Sequence, residues 1–579
     1  MVIRLCVVVC AVGFLCVTAD SDEESLDVKT AQGVVRGRLQ PFEDLYAFYN
    51  IPYATAPRGE HKFKAPLPPP KWPDTYESLK KNVVCPQNKA VYKLLPEPLV
   101  MDEDCLLANV FVPRTTQKDL SVLVYVHGGA FSIGYGKINR GSQLMKIKKD
   151  VIMVTFNYRL GVHGFLCLGT KDIPGNAGMK DQVALLRWVQ NNIASFGGNH
   201  EDVTLAGSST GSASVDLLVL SKSAEGLFHK VILESGGSLA AFAVQRDPLQ
   251  IAKYHASKLN FTNFHDIHTL EDLYKRTSLE LLTSDSFFDR PDSTFLFSPC
   301  VERNTGDGAF LTESPLTILK KGSYQKLPML YGFTSMEGLL RIDYFDIWKH
   351  KMNDKFSDFL PADLKIPSVE EREEVAKTIK SFYFDNKPVG EHTVLGFINF
   401  FTDVLFTYPM LKALQLYAEG GNNQVYLYEY NFLINDSLPY PHVRGPDHCA
   451  QSTAWLDNLN YRSESLESKN YQKMRSIVRE LWHNFIKTGK PVPEGSSLPT
   501  WPPAGMDKSP HMKLGEKVEL HGVLLEERTR FWDDIYQKYY RDAVPPPSPG
   551  QTIVPIEPMS GTTETIYGFL ERNVRLKKE

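Results

Sequence analysis

The chain has 579 residues, 42% of them hydrophobic in type and 23% charged. That is the make-up of an ordinary soluble globular protein, and a formal net charge of −4 offers no basic surface for nucleic acid or an anionic membrane. At roughly 150 residues per domain, length alone suggests about four domains.

Met1–Ala19 reads as a secretory signal peptide. Arg4 supplies the positive start, Leu5–Val17 the apolar core, and Val17-Thr18-Ala19 the small residues before Asp20. The core is too short for a bilayer, which needs about 20 apolar residues, and no later stretch reads as a membrane span. Removing the signal takes Cys6, Cys10 and Cys16 and leaves Cys85, Cys105, Cys167, Cys300 and Cys449. Cys85 and Cys105 bracket a short loop and are the best disulfide candidates in an oxidising compartment. The other three have no forced pairing, and Cys167, within the apolar run Gly164–Leu168, reads as a buried small hydrophobe. No Cys/His cluster has zinc spacing, so no metal is expected. Asn260-Phe261-Thr262 and Asn435-Asp436-Ser437 are glycosylation sequons.

Val28–Arg38 and Leu45–Tyr49 predict short strands, and the proline-rich Pro66–Pro73 an extended surface segment. Ala108–Val112 and the more apolar Ser121–Val126 are the next strands. The second ends in His127-Gly128-Gly129-Ala130-Phe131, and paired glycines straight after a buried strand let the backbone approach a ligand closely. Val151–Phe156 follows. Met179–Ile193 has helical spacing, with Leu185, Leu186, Val189 and Ile193 on one face, and Gly197-Gly198-Asn199 stops it. Val203–Ala206 and Val231–Leu233 are strands. Residues 247–323 are mixed, with helices expected but no readable boundaries. Leu327–Phe333 and Val425–Phe432 are further strands. Tyr471–Lys487 is an amphipathic helix with Met474, Val478, Leu481 and Phe485 on one stripe, capped by Gly489, and Arg528–Tyr540 is an aromatic-rich helix. Strands alternating with helices predict a mostly parallel sheet covered on both faces, an α/β class. Residues 544–579 differ: Val544–Pro558 holds six prolines and reads as a linker or mobile tail.

The functional signal is Gly207-Ser208-Ser209-Thr210-Gly211, a Gly-x-Ser-x-Gly turn between an apolar strand and small helix-starting residues. A sharp strand-to-helix turn strains the serine, and only glycines at its flanks leave room. The turn lifts the hydroxyl clear of the sheet and aims N–H groups at a developing oxyanion. This is the nucleophile-elbow pattern. Alone it is unspecific.

Other blocks accompany it in order: Ile51-Pro52-Tyr53-Ala54, Glu103-Asp104-Cys105-Leu106, His127–Phe131, Asn157–Gly161, Gly175–Gln182, Phe196–Asn199, Phe228-His229-Lys230 with Ser235-Gly236, and Trp482–Phe485 before Thr488-Gly489. With these the chain resembles the type-B carboxylesterases, the cholinesterase-like branch of the α/β-hydrolases, secreted insect carboxylesterases above all, from about Val28 to Tyr540. The resemblance implies one large α/β-hydrolase domain over residues 20–543, which overrules the length-based figure. It implies a triad of Ser209 as nucleophile, Glu337 as acid within Gly332–Gly338, and His448 as base three residues after Gly445. It places the oxyanion donors on the N–H groups of Gly128, Gly129 and Thr210, an acyl-pocket aromatic at Phe242, a disulfide at Cys85–Cys105, and structural ion pairs at Arg159–Asp181 and Lys62–Glu103. No cofactor is implied. The partners are a small ester and water, with no nucleic acid.

The chemistry agrees. A serine hydroxyl is a weak nucleophile until a neighbouring base takes its proton, a histidine titrates in the right range, and a carboxylate holds its tautomer and steadies the imidazolium. His442 is the rival base, but Gly445 at the family's offset favours His448. His127 reads as part of the glycine loop, and Asp447 is too close in sequence to His448 to serve as its acid. Several positions depart from the family. Ser208 stands where relatives often carry Glu, Gln or His. Thr210 replaces the usual Ala and brings a branched side chain. Cys449-Ala450-Gln451 follows His448 where acids are usual, and Lys62 replaces Arg. The short Cys85–Cys105 loop lacks a Trp, which argues against a cholinesterase, and Ser208 argues against a juvenile-hormone esterase. The expected activity is secreted hydrolysis of small to medium apolar esters such as lipid-derived signals, odorants or xenobiotics. The competing expectation is a catalytically silent adhesion protein of the same family.

Overall fold

The computed structural model describes residues 24–40, 42–79, 82–88, 99–136, 148–261, 266–283, 290–303, 308–433, 440, 443–456 and 468–548. Residues 1–23, where a signal peptide is expected, together with Asn435, His442 and most of the tail, lie outside them.

Apolar runs that do not alternate build the centre of the molecule. Leu120–Val126 (LSVLVYV) and Val151–Phe156 (VIMVTF) are buried along their whole length, the pattern of parallel strands covered on both faces. The strands are β1 Ser25–Lys29, β2 Val34–Gln40, β3 Leu45–Pro52, β4 Tyr76–Glu77, β5 Val83–Val84, β6 Val100–Met101, β7 Leu107–Pro113, β8 Leu120–Val126, β9 Val151–Phe156, β10 Gly198–Ser208, β11 Lys230–Glu234, β12 Met329–Thr334, β13 Val425–Tyr430, β14 His511–Leu514 and β15 Val518–His521. Thirteen form one sheet in the order β1-β2-β3-β7-β9-β8-β10-β11-β12-β13-β14-β15, with β4 beside β2. From β9 to β14 every pairing is parallel; the antiparallel pairs lie at the two edges. This is the α/β-hydrolase architecture.

The helix predicted over Met179–Ile193 runs from Ala177 to Asn192, and that predicted over Tyr471–Lys487 from Lys469 to Thr488, closed by Gly489 at φ 73°. The mixed middle contains helices Pro248–Lys258, Ile267–Arg276, Leu279–Leu282 and Pro315–Lys321. One stretch passed over in the sequence is Glu391–Glu419, among the described residues the one helix long and apolar enough to cross a membrane; 83% of its most apolar window is buried inside the protein. It is a core helix, interrupted by a π turn at Asp403–Thr407.

Cys85 and Cys105 are bonded as expected. The expectation for Cys167 is corrected: it is bonded to Cys300, 133 residues away. Its apolar surroundings are real, for both residues are buried, but they hid a partner that no local spacing points to. Cys449 is the free thiol among the described residues. The ion pair expected from Arg159 is present and fully buried, Nη2 to Asp181 Oδ1 at 2.6 Å. The same guanidinium donates to the carbonyls of Lys62 and Lys64, fastening that loop to the helix. Lys62 does not close an ion pair with Glu103. Its ammonium, shorter in reach than the usual Arg, donates to the carbonyls of Lys275 and Thr277, each at 2.8 Å. The start of the tail is docked: Pro546 is buried, and the Pro547 carbonyl accepts from Arg303 at 3.1 Å.

Candidate active site

Strand β10 ends at Ser208, and a helix, Thr210–Leu220, starts two residues later. Ser209 between them has φ 56° and ψ −127°, a conformation that costs a non-glycine residue about 1–3 kcal/mol. Tight packing enforces it. A side chain at Gly207 would meet the Gly211 backbone at 2.5 Å, and one at Gly211 would meet the Val126 carbonyl at 2.2 Å. The Ser209 N–H donates to the Glu234 carbonyl at 2.9 Å. Ser208 turns its hydroxyl to Tyr125, 2.8 Å away.

The glycine loop after β8 lies against this turn. A Cβ on Gly128 would fall 3.0 Å from that of Ser209. Among the described residues the N–H groups of Gly128 and Gly129 have no acceptor. The Thr210 side chain joins the two segments, its hydroxyl accepting the Phe131 N–H at 3.3 Å. His127 is buried and stacked on Tyr158 with ring centroids 4.4 Å apart, and burial lowers its imidazole to about 4 despite the Gly128 carbonyl, so it is a neutral support of the loop.

Glu337 follows β12 and is entirely buried. One carboxylate oxygen accepts the Thr334 N–H at 2.7 Å; the other lies 2.5 Å from His448 Nδ1. These two residues, 111 apart in sequence, are brought together as the resemblance implied. His448 Nε2 is buried and has no hydrogen-bond partner among the described residues, so the Ser209 hydroxyl is not bonded to it in this geometry. Such contacts often close only when substrate is bound. Burial works against the imidazolium, while the Cys449 sulfur and the Glu337 carboxylate favour it, and the balance lies well above the ordinary histidine value. Burial also raises the Cys449 thiol. It is therefore neutral near pH 7, and the lasting upward pull is that of Glu337. Asp447 is not the group that holds His448.

Phe242 is buried, 5.0 Å from Phe295 and 5.6 Å from Phe406 between ring centroids, and Phe406 stands 4.5 Å from the His448 ring. The π turn carries Phe406, and the preceding Thr402 hydroxyl accepts the Gly338 N–H at 2.8 Å, so one helix supports both Glu337 and His448. Sequence reasoning missed Phe406, one apolar residue in a run of them. It also missed Glu234, whose signal was available: an acid closing an apolar strand beside the elbow. Asn260 is exposed just after the helix Pro248–Lys258. Among the described residues no three His, Cys, Asp or Glu side chains are grouped to hold a metal ion.

A profile of the carboxylesterase family matches residues 24–532. The juvenile hormone esterase of Heliothis virescens is 33% identical over 512 residues, spanning 83% of this chain and 89% of that protein. A carboxylic ester hydrolase of Bombus ignitus is 31% identical over 490 residues, 81% of this chain and 86% of its own length. The crystal structure of juvenile hormone esterase from Manduca sexta with OTFP covalently attached superposes with a TM-score of 0.77 at 28% identity, covering 89% of this chain and all of that one. An elbow serine, a glycine loop pressed against it and a buried Glu–His pair, in a chain matched along most of its length, leave one conclusion: this protein belongs to the carboxylesterase family and is an ester hydrolase.

Proposed function

We propose that the protein is a secreted serine esterase acting on small to medium apolar esters such as lipid-derived signals, odorants or xenobiotics. Ser209 Oγ attacks the ester carbonyl carbon as His448 Nε2 takes its proton, and Glu337 holds Nδ1–H and steadies the imidazolium. The N–H groups of Gly128, Gly129 and Thr210 receive the oxyanion, each contributing on the order of 3 kcal/mol. Collapse expels the alcohol, which leaves with the proton from Nε2. Water then repeats the sequence and frees the acid. The observation that carries this reading is the 2.5 Å contact between His448 and Glu337, in a chain that also holds the strained turn at Ser209. The Phe242–Phe406–Phe295 wall supports an apolar acyl group, as does the likeness to juvenile hormone esterases, which tempers the argument from Ser208. Two disulfides support export.

The test is hydrolysis of an ester panel together with fluorophosphonate labelling. Ser209→Ala is expected to lose all labelling and about 10⁶-fold in kcat. Hydrolysis retained in that variant overturns the assignment, and absence of labelling in the folded wild-type protein favours the silent reading.

A further inference from the structure

We propose that Glu234 is a positioning residue for this reaction: its buried carboxylate fixes the helix Ala450–Leu456, and with it His448, against the strand that presents Ser209. The proposal rests on the Ser209–His448 reading above.

Glu234 ends β11 and stands in register with Ser208 of β10. Its main chain and side chain serve opposite partners. The carbonyl accepts the N–H of Ser209 at 2.9 Å. The carboxylate, with no exposed surface, accepts from Ser452 Oγ at 2.6 Å, Trp455 Nε1 at 2.9 Å and Trp482 Nε1 at 2.9 Å. Ser452 and Trp455 belong to the helix that begins two residues after His448, and Trp482 comes from the helix Lys469–Thr488 behind it. A second strut runs parallel, Gln451 Nε2 donating to Ser235 Oγ at 2.7 Å. One residue thus clamps the nucleophile's strand to the base's helix, in a chain where no acid follows His448.

The clamp is built for an anion. Two of its three donors are indole N–H groups, which cannot accept a hydrogen bond. A protonated carboxyl, or an amide in its place, would turn a donor against them. Among the described residues no Lys or Arg side chain is bonded to it. The titratable groups that act on it are the Tyr125 hydroxyl of β8, the Tyr428 hydroxyl of β13 and the Cys449 thiol, with Glu337 and His448 beyond Tyr428. Burial pushes the carboxyl up, the three donors pull it back, and the result is about 7. Protonation in the working range therefore slackens the clamp while His448 is also gaining its proton.

The experiment is the pH dependence of kcat/KM for p-nitrophenyl acetate with the full protein, its Glu234→Gln variant and its Ser452→Ala variant. For the wild type the acid limb of log kcat/KM should approach a slope of 2, one proton for His448 and one for Glu234. Glu234→Gln should show a slope of 1, with kcat at pH 8 reduced about 10- to 100-fold by a small misplacement of the base and KM within about twofold. Ser452→Ala, which removes one donor and keeps the acid, should lose less and keep the slope of 2. A wild-type slope of 1, or a Glu234→Gln variant with unchanged slope and kcat, overturns the proposal. Should Glu234→Gln fail to fold, the wild-type and Ser452→Ala profiles decide. Stoichiometric fluorophosphonate labelling of Glu234→Gln separates lost positioning from a lost nucleophile, and labelling of Ser209→Ala would refute the triad rather than the clamp.

Discussion

His448 is a base only while its imidazole is neutral, and the carboxylate beside it decides when that is. Glu337, 2.5 Å from Nδ1, favours the imidazolium, so kcat/KM should be lost as pH falls through a midpoint above the 6.5 of a free histidine. Glu337→Gln removes that pull and allows the wrong tautomer. We expect the midpoint to move down toward 6.5 or below, and kcat to drop by about 10⁴. A pH–rate profile of the variant reports both. Ser209 was legible in the sequence because its turn needs glycines on both sides, Gly207 and Gly211, where backbone comes within 2.5 Å of an added Cβ; Glu337 and His448 were legible only through the family resemblance, which sets their offsets from nearby glycines. Phe406 was not, because an aromatic residue in an apolar run carries no mark of which ring it will face. Thr210 brings a branched side chain next to the nucleophile, and its hydroxyl takes an N–H from the glycine loop, a contact that a side chain read singly does not reveal.

Loops and helices are held together by groups that have left water. The Arg159–Asp181 pair ties the helix Ala177–Asn192 to the loop at Lys62–Lys64. Replacing Asp181 with Asn leaves a buried guanidinium without its counter-charge. The expected cost is about 3–5 kcal/mol of stability, measurable as a shift of the denaturation midpoint. At this scale the sequence revealed strands well, because β8, β9, β11, β12 and β13 are continuous apolar runs buried on both faces. It revealed helices only where one face is wet, as in Lys469–Thr488. The middle of Glu391–Glu419, residues 400–411, is buried on every side, so it shows little helical period to find. The four-residue strands β14 and β15 at the sheet edge are too short to read.

Across the whole molecule, stability and catalysis pull Glu234 in opposite directions. Its carboxyl titrates near 7 in the folded protein against 4.5 when exposed, so the native state binds more protons between those values. Stability therefore falls as pH rises through that window, by about 3 kcal/mol. The thermal midpoint of the wild type should fall relative to that of Glu234→Gln from pH 5, where the acid is protonated like the amide, to pH 8; a difference that does not change with pH would show that the acid stays ionised throughout. The Cys167–Cys300 bond closes a loop of 133 residues, worth about 5 kcal/mol on chain-entropy grounds. Cys300→Ala should lower the thermal midpoint by roughly 5 °C in a protein of this size. That long-range closure was the least readable feature, since one half of it looked like ordinary core. It also dictates how the protein has to be manufactured. In a host cytosol kept reduced by glutathione, Cys85, Cys105, Cys167 and Cys300 all stay unpaired, and Cys449, next to His448, becomes a fifth thiol open to scrambled pairing during purification. Routing the product through a bacterial periplasm or a eukaryotic culture medium, where sulfur–sulfur links form before harvest, should raise the fraction of active molecules rather than merely the yield.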